Sequence, residues 1–170
     1  MTTMTINNFI EAFEAREDLK RYNEDALMLF ALEMRFAIED IHLVASNSLT
    51  KTNDDKKADM IFIDEERSIA IIAQAFISSD LTKPAAKANK ASDLNTAASW
   101  ILSREINDLP IELQTHAQEL RKLIQENKID YLYFWYVHNL PESENVAQEL
   151  KTVQQTAFNA VKSINQTCRI

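Results

Sequence analysis

Apolar residues recur at helical spacing in the first forty residues of the chain. Ile6, Phe9, Ile10 and Phe13 predict a short amphipathic helix. The following segment, NEDALMLFALEMRFAIED, predicts a longer helix with Asn23 as its N-cap and an apolar stripe facing inward. The pattern from 41 to 49 fits either an extension of this helix or a short edge strand, and both interpretations stay open.

Two apolar runs in the middle of the chain have the pattern of strands rather than helices. ADMIFID and IAIIAQAFI are rich in β-branched and aromatic residues, and the polar segment DEERS separates them. They predict an antiparallel hairpin that the chain enters through the polar turn at 51–57. Because the second run is almost continuously apolar, we expect that strand to be buried on both faces.

The second half of the chain returns to helical periodicity, with one exception. We predict a helix capped by Ser92, a second helix starting at Pro110, and a long helix from about Ser143. The exception is IDYLYFWYV, which is aromatic and β-branched and predicts a strand. The order of these elements indicates one α/β domain, 1–170, with a mixed sheet flanked by helices.

Composition excludes several classes of function. The 170 residues include no glycine, so neither a phosphate-binding P-loop nor a dinucleotide fingerprint can be present. Cys168 is the single cysteine, which excludes an internal disulfide and a zinc site built on thiolates. The first residues do not resemble a secretory signal, and no apolar run is long enough to span a bilayer. We therefore expect a cytoplasmic protein without a membrane partner.

The charge of the chain gives contrasting indications about nucleic acid. A net charge of −8 disfavours binding to phosphate backbones, which depends on lysine and arginine. The lysines are nevertheless grouped around the predicted hairpin, at Lys51, Lys56 and Lys57 before it and at Lys83, Lys87 and Lys90 after it. Such a group could form a local positive patch in a negative surface.

Asp59 and Gln74 are the candidate site residues of the hairpin. Asp59 opens the first strand, Gln74 lies late in the second, and side-chain alternation allows the two to face each other. An acid facing an oxygen ligand on the next strand, followed two residues later by lysine, is the arrangement of magnesium-dependent nucleases of the restriction-endonuclease fold. Phe76 occupies the position of that lysine. The structural alternative is a turn aspartate and a glutamine that bonds the backbone.

Five segments in series resemble the N-terminal region of the AIPR proteins, the abortive-infection phage-resistance family. They are LKRYNEDALMLFALEM, LTKTNDDKKADMIFID, IIAQAF, ANKASDLNTAASWIL and WYVHNLPESENV, from about Leu19 to Val146. The resemblance implies a restriction-endonuclease-like fold of the PD-(D/E)XK type, bacterial phage defence, and nucleic acid as substrate. It also implies Mg²⁺ or Mn²⁺ held by Asp59 and Gln74. Family members are longer, which implies that 1–170 corresponds to an N-terminal domain with further C-terminal domains as partners.

Folds of this type often take a lysine and a further acid from neighbouring helices. Lys90 is the first candidate for the lysine and Lys57 the second. Glu33 is the candidate acid, with Glu24 as its alternative. A separate candidate is the pair His138 and Asn139, which follows the aromatic strand at the end where parallel sheets bind ligands.

Two functions from different classes remain after the sequence analysis. The first is a nuclease-like domain that recognises or cleaves nucleic acid with a divalent metal. The second is a degenerate nuclease fold that serves as a protein-interaction or sensor module, alone or as a homo-oligomer. The retained Asp59 favours the first, while Gln74, Phe76 and the acidic surface favour the second.

Overall fold

The computed structural model describes residues 6–50 and 54–170, with side chains from Asn8 onward. Lys51 of the predicted lysine group and the first five residues lie outside this part of the chain. Two short 3-10 segments, Glu17–Asp25 and Ile106–Asp108, join some of the regular elements. Those elements are α1 (Ile6–Glu14), α2 (Ala26–Phe36), α3 (Ile41–Ser48), β1 (Met60–Asp64), β2 (Ile69–Phe76), α4 (Ala88–Ser103), α5 (Ile111–Gln125), β3 (Tyr131–His138) and α6 (Glu144–Lys162).

The N-terminal half confirms the predicted helices but not the predicted cap. Asn23 does not cap α2, because it lies inside the preceding 3-10 segment with φ of 51°. The N-cap position is Asp25, and α2 begins at Ala26. The open segment after α2 is a helix, α3, since the Asp40 side chain accepts a hydrogen bond from the N–H of Leu43 at 2.9 Å and starts the turn there.

The helices of the second half follow the prediction with one shift. Helix α4 begins at Ala88, four residues before the predicted cap, and the Ser92 hydroxyl donates to the carbonyl of Asn89 inside it. Helix α5 follows Pro110 directly, and Ser143 caps α6 by accepting the N–H of Val146 at 3.3 Å. Among the described residues, no helix combines the length and the apolar character needed to cross a membrane.

The sheet has three strands in the order β1-β2-β3. Strands β1 and β2 are antiparallel, with Met60 opposite Ala73, and β2 pairs in parallel with β3, with Ile69 opposite Tyr131. The mixed sheet with an antiparallel hairpin is therefore confirmed. The helical segments α4, α5 and the chain between them provide the crossover that a parallel pair requires.

Each face of the sheet packs against its own set of helices. The first core contains Ile61 and Ile72 of the sheet together with α4, α5 and α6. The second core contains Ile71 and Ala73 together with α2 and α3. Strand β2 is buried along its length up to Ala75, as the sequence predicts. Strand β2 is the centre of the fold because it pairs with both other strands and contributes to both cores. Burying one of its isoleucines contributes about 1.5–3 kcal/mol.

Turns in this chain place side-chain-bearing residues in the left-handed backbone region. The described residues with positive φ are Asn23, Ala37, Lys56, Lys57, Ser68 and Asn127. Ala37 ends α2 with φ of 49° and ψ of 52°, a conformation that glycine adopts without steric cost. The absence of glycine therefore leaves strain at helix ends and at the turn before β1.

Candidate functional site

Asp59 forms a β-bulge at the entrance of β1. Its N–H donates to the carbonyl of Ala73 at 2.8 Å, although Ala73 is already the partner of Met60. Its own carbonyl accepts the N–H of Thr50 at 3.0 Å, on the opposite edge. In a regular strand the N–H and C=O of one residue point to the same edge. Asp59 and Met60 thus both face Ala73 of β2.

The bulge directs the Asp59 side chain to the backbone of β2. Its Oδ2 accepts a hydrogen bond from the N–H of Ala75 at 2.7 Å. The bulge also interrupts the alternation of side chains, since Ala58 belongs to the first core and Met60 to the second. Side-chain alternation is therefore broken at this point, and the prediction that it sets Asp59 opposite Gln74 is wrong.

Gln74 belongs to the face of the first core. Its neighbours Ala73 and Ala75 pack in the second core, so its side chain lies on the other face, as that of Ile72 does. It is 2% exposed, and its Oε1 has no hydrogen-bond partner among the described residues. Its register partner on β3 is Tyr136, whose hydroxyl is also buried without a described partner. The structure thus groups Gln74 with Tyr136 rather than with Asp59.

Acidic residues gather around Asp59 instead. Burial raises the pKa of Asp59, and the negative charges of Asp55 and Glu24 act in the same direction. Burial also raises the pKa of Asp25 to about 7, with further contributions from Asp59, Glu24 and Asp55. Asp25 and Asp59 are therefore two part-buried carboxyl groups whose charges repel each other. Sequence reasoning missed Asp25, and the only signal was its position next to Glu24 at the start of an apolar helix.

The two acids proposed from the sequence have different surroundings. Glu33 lies on α2 in an ion pair with Arg16 and is not among the charges that shift the pKa of Asp59. Glu24, the alternative, does act on Asp59 and on Asp25. The structure brings Glu24 to the candidate site and places Glu33 in a pair elsewhere on its helix.

Two lysines at the start of α4 lie near the hairpin, Lys87 beside Phe76 and Lys90 within electrostatic range of Asp59. The positive charge of Lys90 lowers the pKa of Asp59, which partly opposes the effect of burial. The Nζ atom of Lys87 lies 5.8 Å from the ring centroid of Phe76, the residue at the position of the strand lysine. Lys57 differs from both, since its Nζ lies 3.9 Å from Asp93 Oδ2. Lys90 is thus the lysine that the structure associates with Asp59.

The described residues offer carboxylates near the bulge but no complete set of ligands for a metal ion. Within 6–50 and 54–170, no group of three or more histidine, cysteine, aspartate or glutamate side chains is arranged to hold a metal. Mg²⁺ commonly uses one or two carboxylates and completes its shell with waters and substrate phosphates. Asp25 and Asp59 are carboxylates of the kind that such an ion uses. Gln74 does not fit as the second ligand, because it points into the other core.

His138 and Asn139 have structural contacts. The His138 side chain is 3% exposed, and its Nε2 lies 3.5 Å from Glu142 Oε1. The Asn139 amide accepts the N–H of Ser78 at 2.8 Å and donates to the carbonyl of Ser78 at 2.9 Å. This pair of hydrogen bonds joins the segment after β3 to the segment after β2. Asn139 therefore extends the parallel pairing by one rung.

No family model, no curated protein and no solved structure matches this chain.

Proposed function

We propose that this chain is a restriction-endonuclease-like domain of the abortive-infection type, which binds or cleaves nucleic acid with a divalent cation. The observation that supports this most is the pair Asp25 and Asp59. Both are part-buried carboxyl groups with raised pKa values; burial is the main cause at each, the charge of Asp59 adds to the shift at Asp25, and the charge of Lys90 opposes the shift at Asp59. A divalent ion next to a phosphate would neutralise them, and a mixed sheet with an antiparallel hairpin and flanking helices is compatible with the implied fold.

The residues have distinct roles in this proposal. Asp59 and Asp25 hold Mg²⁺ or Mn²⁺, which supplies Lewis-acid chemistry at a phosphate oxygen. Lys90 contributes positive charge where negative charge develops on the phosphate. Lys87, whose ammonium lies beside Phe76, would contact the nucleic-acid backbone. Asp25 takes the place that the sequence analysis gave to Gln74.

Calorimetry with Mn²⁺ and Mg²⁺ tests this proposal directly. We expect binding by the unaltered protein, and a loss of about tenfold or more in affinity for both Asp25→Asn and Asp59→Asn. Asp108→Asn, at an exposed acid of the 3-10 turn Ile106–Asp108, is the matched control and should leave the affinity unchanged. Absence of metal binding by the unaltered protein, or equal losses in all three variants, would refute the site.

Cleavage assays on single- and double-stranded DNA and RNA test the chemistry that the metal would support. Activity should require Mg²⁺ or Mn²⁺ and should disappear in Asp59→Asn while the fold remains intact. Activity that persists in chelator would show that the reaction takes place elsewhere.

The second candidate is a degenerate fold that acts as an interaction or sensor module. The specific observation in its favour is the pair of positions where a nuclease would carry an acid and a lysine. Gln74 is buried and its Oε1 has no partner within the described part of the chain, and Phe76 lies under the Lys87 ammonium. A protein that binds neither metal nor nucleic acid at low salt would favour this function over the first.

A further inference from the structure

Three side chains form a hydrogen-bonded chain between the 3-10 segment Glu17–Asp25 and helix α3. The Tyr22 hydroxyl lies 2.9 Å from Nδ1 of His42, and Nε2 of the same ring lies 3.1 Å from Oδ2 of Asp18. A hydroxyl, an imidazole and a carboxylate in this order are the groups of a nucleophile, its general base and the residue that orients the base. None of the three is among the groups that shift the pKa of Asp59.

The carboxylate of Asp18 fixes the tautomer of His42. Arg16 donates from Nε to Oδ1 and from Nη2 to Oδ2 of Asp18, both at 2.8 Å, and this pairing holds the pKa of Asp18 below its usual range. Because an ionised carboxylate accepts but cannot donate, the hydrogen of the neutral imidazole lies on Nε2. Nδ1 is then an acceptor directed at the Tyr22 hydroxyl, as a general base requires.

The Tyr22 ring is held in place while the groups around its hydroxyl remain open to solvent. The ring packs against the second core and lies nearly parallel to the His42 ring, with an interplanar angle of 22°. The side chains of Asp18 and His42 are 43% and 37% exposed. The core therefore fixes the nucleophile, and a substrate can reach the three side chains from the surface.

Arg21 adds a positive charge beside the Tyr22 hydroxyl. Its Nη2 donates to the Tyr22 oxygen at 3.1 Å, and its Cζ lies 5.0 Å from the centroid of that ring. No described carboxylate pairs with Arg21, whereas Arg16 is paired with both Asp18 and Glu33. An exposed guanidinium with remaining donors is suited to bind two oxygens of a phosphate. The charge next to the nucleophile therefore fits an anionic substrate.

We propose that Tyr22 is a nucleophile that attacks the phosphorus of a phosphate ester, with His42 as general base and Asp18 as its positioning residue. The Tyr22 oxygen forms the new P–O bond while its proton passes to Nδ1 of His42. The ester P–O bond breaks, the leaving alcohol takes that proton, and the phosphoryl group stays on Tyr22. Arg21 binds the non-bridging oxygens, where negative charge develops. This step needs no metal at Asp59, so it goes beyond the function proposed above and does not depend on it.

Labelling with an aryl sulfonyl fluoride, located by mass spectrometry, tests the activated hydroxyl. The phenol oxygen displaces fluoride from sulfur, so the probe measures nucleophilicity directly. We expect Tyr22 to react at least about tenfold faster than Tyr131. Tyr131 is the internal control, because it is 38% exposed and Arg169 donates to its hydroxyl at 2.9 Å, while no described histidine bonds it. Equal rates at the two tyrosines would overturn the proposal.

Two histidine variants test the general base. His42→Asn keeps a polar group beside Tyr22 but removes the base, and the labelling rate should fall to that of Tyr131. His116→Asn is the matched control, since this exposed ring bonds only backbone carbonyls of its own helix and of Asn47. Circular dichroism and the rate at Tyr131 verify that both variants are folded. An unchanged rate in His42→Asn would contradict the proposal and leave the network as a structural link between the 3-10 segment and α3.

Nitrogen NMR of the His42 ring tests the role of Asp18. With the ring neutral, we expect the Nε2–H tautomer in the unaltered protein and a mixture of tautomers in Asp18→Ala. Labelling of Tyr22 should slow at least about threefold in this variant. The same tautomer and the same rate in both proteins would contradict the positioning by Asp18.

Bis(nitrophenyl) phosphate in the presence of a chelator tests the substrate class. We expect release of nitrophenolate equimolar with the protein and a phosphoryl adduct on Tyr22, both absent in Tyr22→Phe. Arg21→Gln should slow this anionic probe about tenfold but not the cationic aminoethylbenzenesulfonyl fluoride. No phosphoryl adduct on Tyr22, or equal effects of Arg21→Gln on both probes, would overturn the assignment of a phosphate ester. Because the chelator removes metal ions, either result is independent of metal binding at Asp59.

Discussion

Asp59 Oδ2 lies 2.7 Å from the backbone nitrogen of Ala75, so the carboxylate at the centre of the candidate site also completes the hydrogen bonding of β2. In a regular strand a backbone carbonyl would accept the N–H of Ala75. The bulge removes that acceptor, and the Asp59 side chain takes its place. A substitution of Asp59 can therefore change both the stability of the fold and the binding of a metal, and the two effects have to be measured separately.

Asp59→Ala and Asp59→Asn make that separation. Alanine leaves the part-buried N–H of Ala75 without a partner, so we expect the free energy of unfolding to fall by about 1–3 kcal/mol. Asparagine keeps an oxygen acceptor at the same place and should cost less than about 1 kcal/mol, while it still removes the charge that a metal needs. Urea denaturation measures both values. Equal losses would show that the hydrogen bond to Ala75 contributes little.

The raised pKa of Asp25 predicts that the free energy of unfolding falls as the pH rises. The pKa is 3.8 for the ordinary side chain and about 7 in the folded protein, so the folded state binds more protons between these values. The stabilising effect is complete below about pH 4 and is lost as the pH rises through about 7. Because Asp25 is partly exposed, we expect a decrease of about 1–2 kcal/mol, below the full value of the shift.

Denaturation between pH 5 and pH 8 checks this dependence. In Asp25→Asn the slope should become flatter, with the remaining slope due in part to Asp59, whose pKa is raised as well. An unchanged slope in Asp25→Asn would contradict the assigned role of its carboxyl group.

The lysines next to the hairpin should dominate any binding of nucleic acid. Replacement of both Lys87 and Lys90 by glutamine should weaken binding and reduce the slope of log affinity against log salt by up to about 2. The matched control replaces Lys151 and Lys162 of α6, which should leave the slope nearly unchanged. Fluorescence anisotropy at several salt concentrations with Mg²⁺ measures both. Equal slopes in the two double variants would contradict a focused patch near Asp59.

Ala37→Gly should stabilise the protein. Ala37 has φ of 49°, where a β-carbon costs about 1–2 kcal/mol and glycine has no such cost. Because glycine also increases the entropy of the unfolded chain, we expect a net gain of about 0.5–1 kcal/mol in the free energy of unfolding. Ala160→Gly, inside α6, should instead lose about 1 kcal/mol. A loss in both variants would show that the left-handed position is not strained.

The strands and helices could be predicted from periodicity because their apolar patterns are long. IAIIAQAFI and IDYLYFWYV became the paired strands β2 and β3, and Ser143 caps α6 as its position indicates. Helix starts were less predictable where several polar residues compete. Asn23 and Ser92 both have side chains that can cap a helix. Asn23 instead lies inside the 3-10 segment before α2, and Ser92 lies inside α4.

The candidate site was predictable only in part. Asp59 and Lys90 could be selected from residue type and position, and their charges do interact. The partnership of Asp59 with Gln74 depended on unbroken alternation, and a bulge of one residue leaves no mark in an apolar sequence. Asp25 was missed because a charged residue before a helix is ordinary, and only the packing of the chain shows that it is partly buried beside Asp59.

The register of β2 has a consequence for the synthesis of the protein. Its residue Ile69 pairs with Tyr131, and 62 positions separate the two in the chain. At about 5–20 residues per second, a ribosome takes roughly 3–12 seconds to produce that interval. During this time β1 can cover one edge of the apolar strand, while the other edge waits for a partner that has not yet been made. The nascent chain is therefore most exposed to aggregation and to chaperones between the emergence of Phe76 and that of His138.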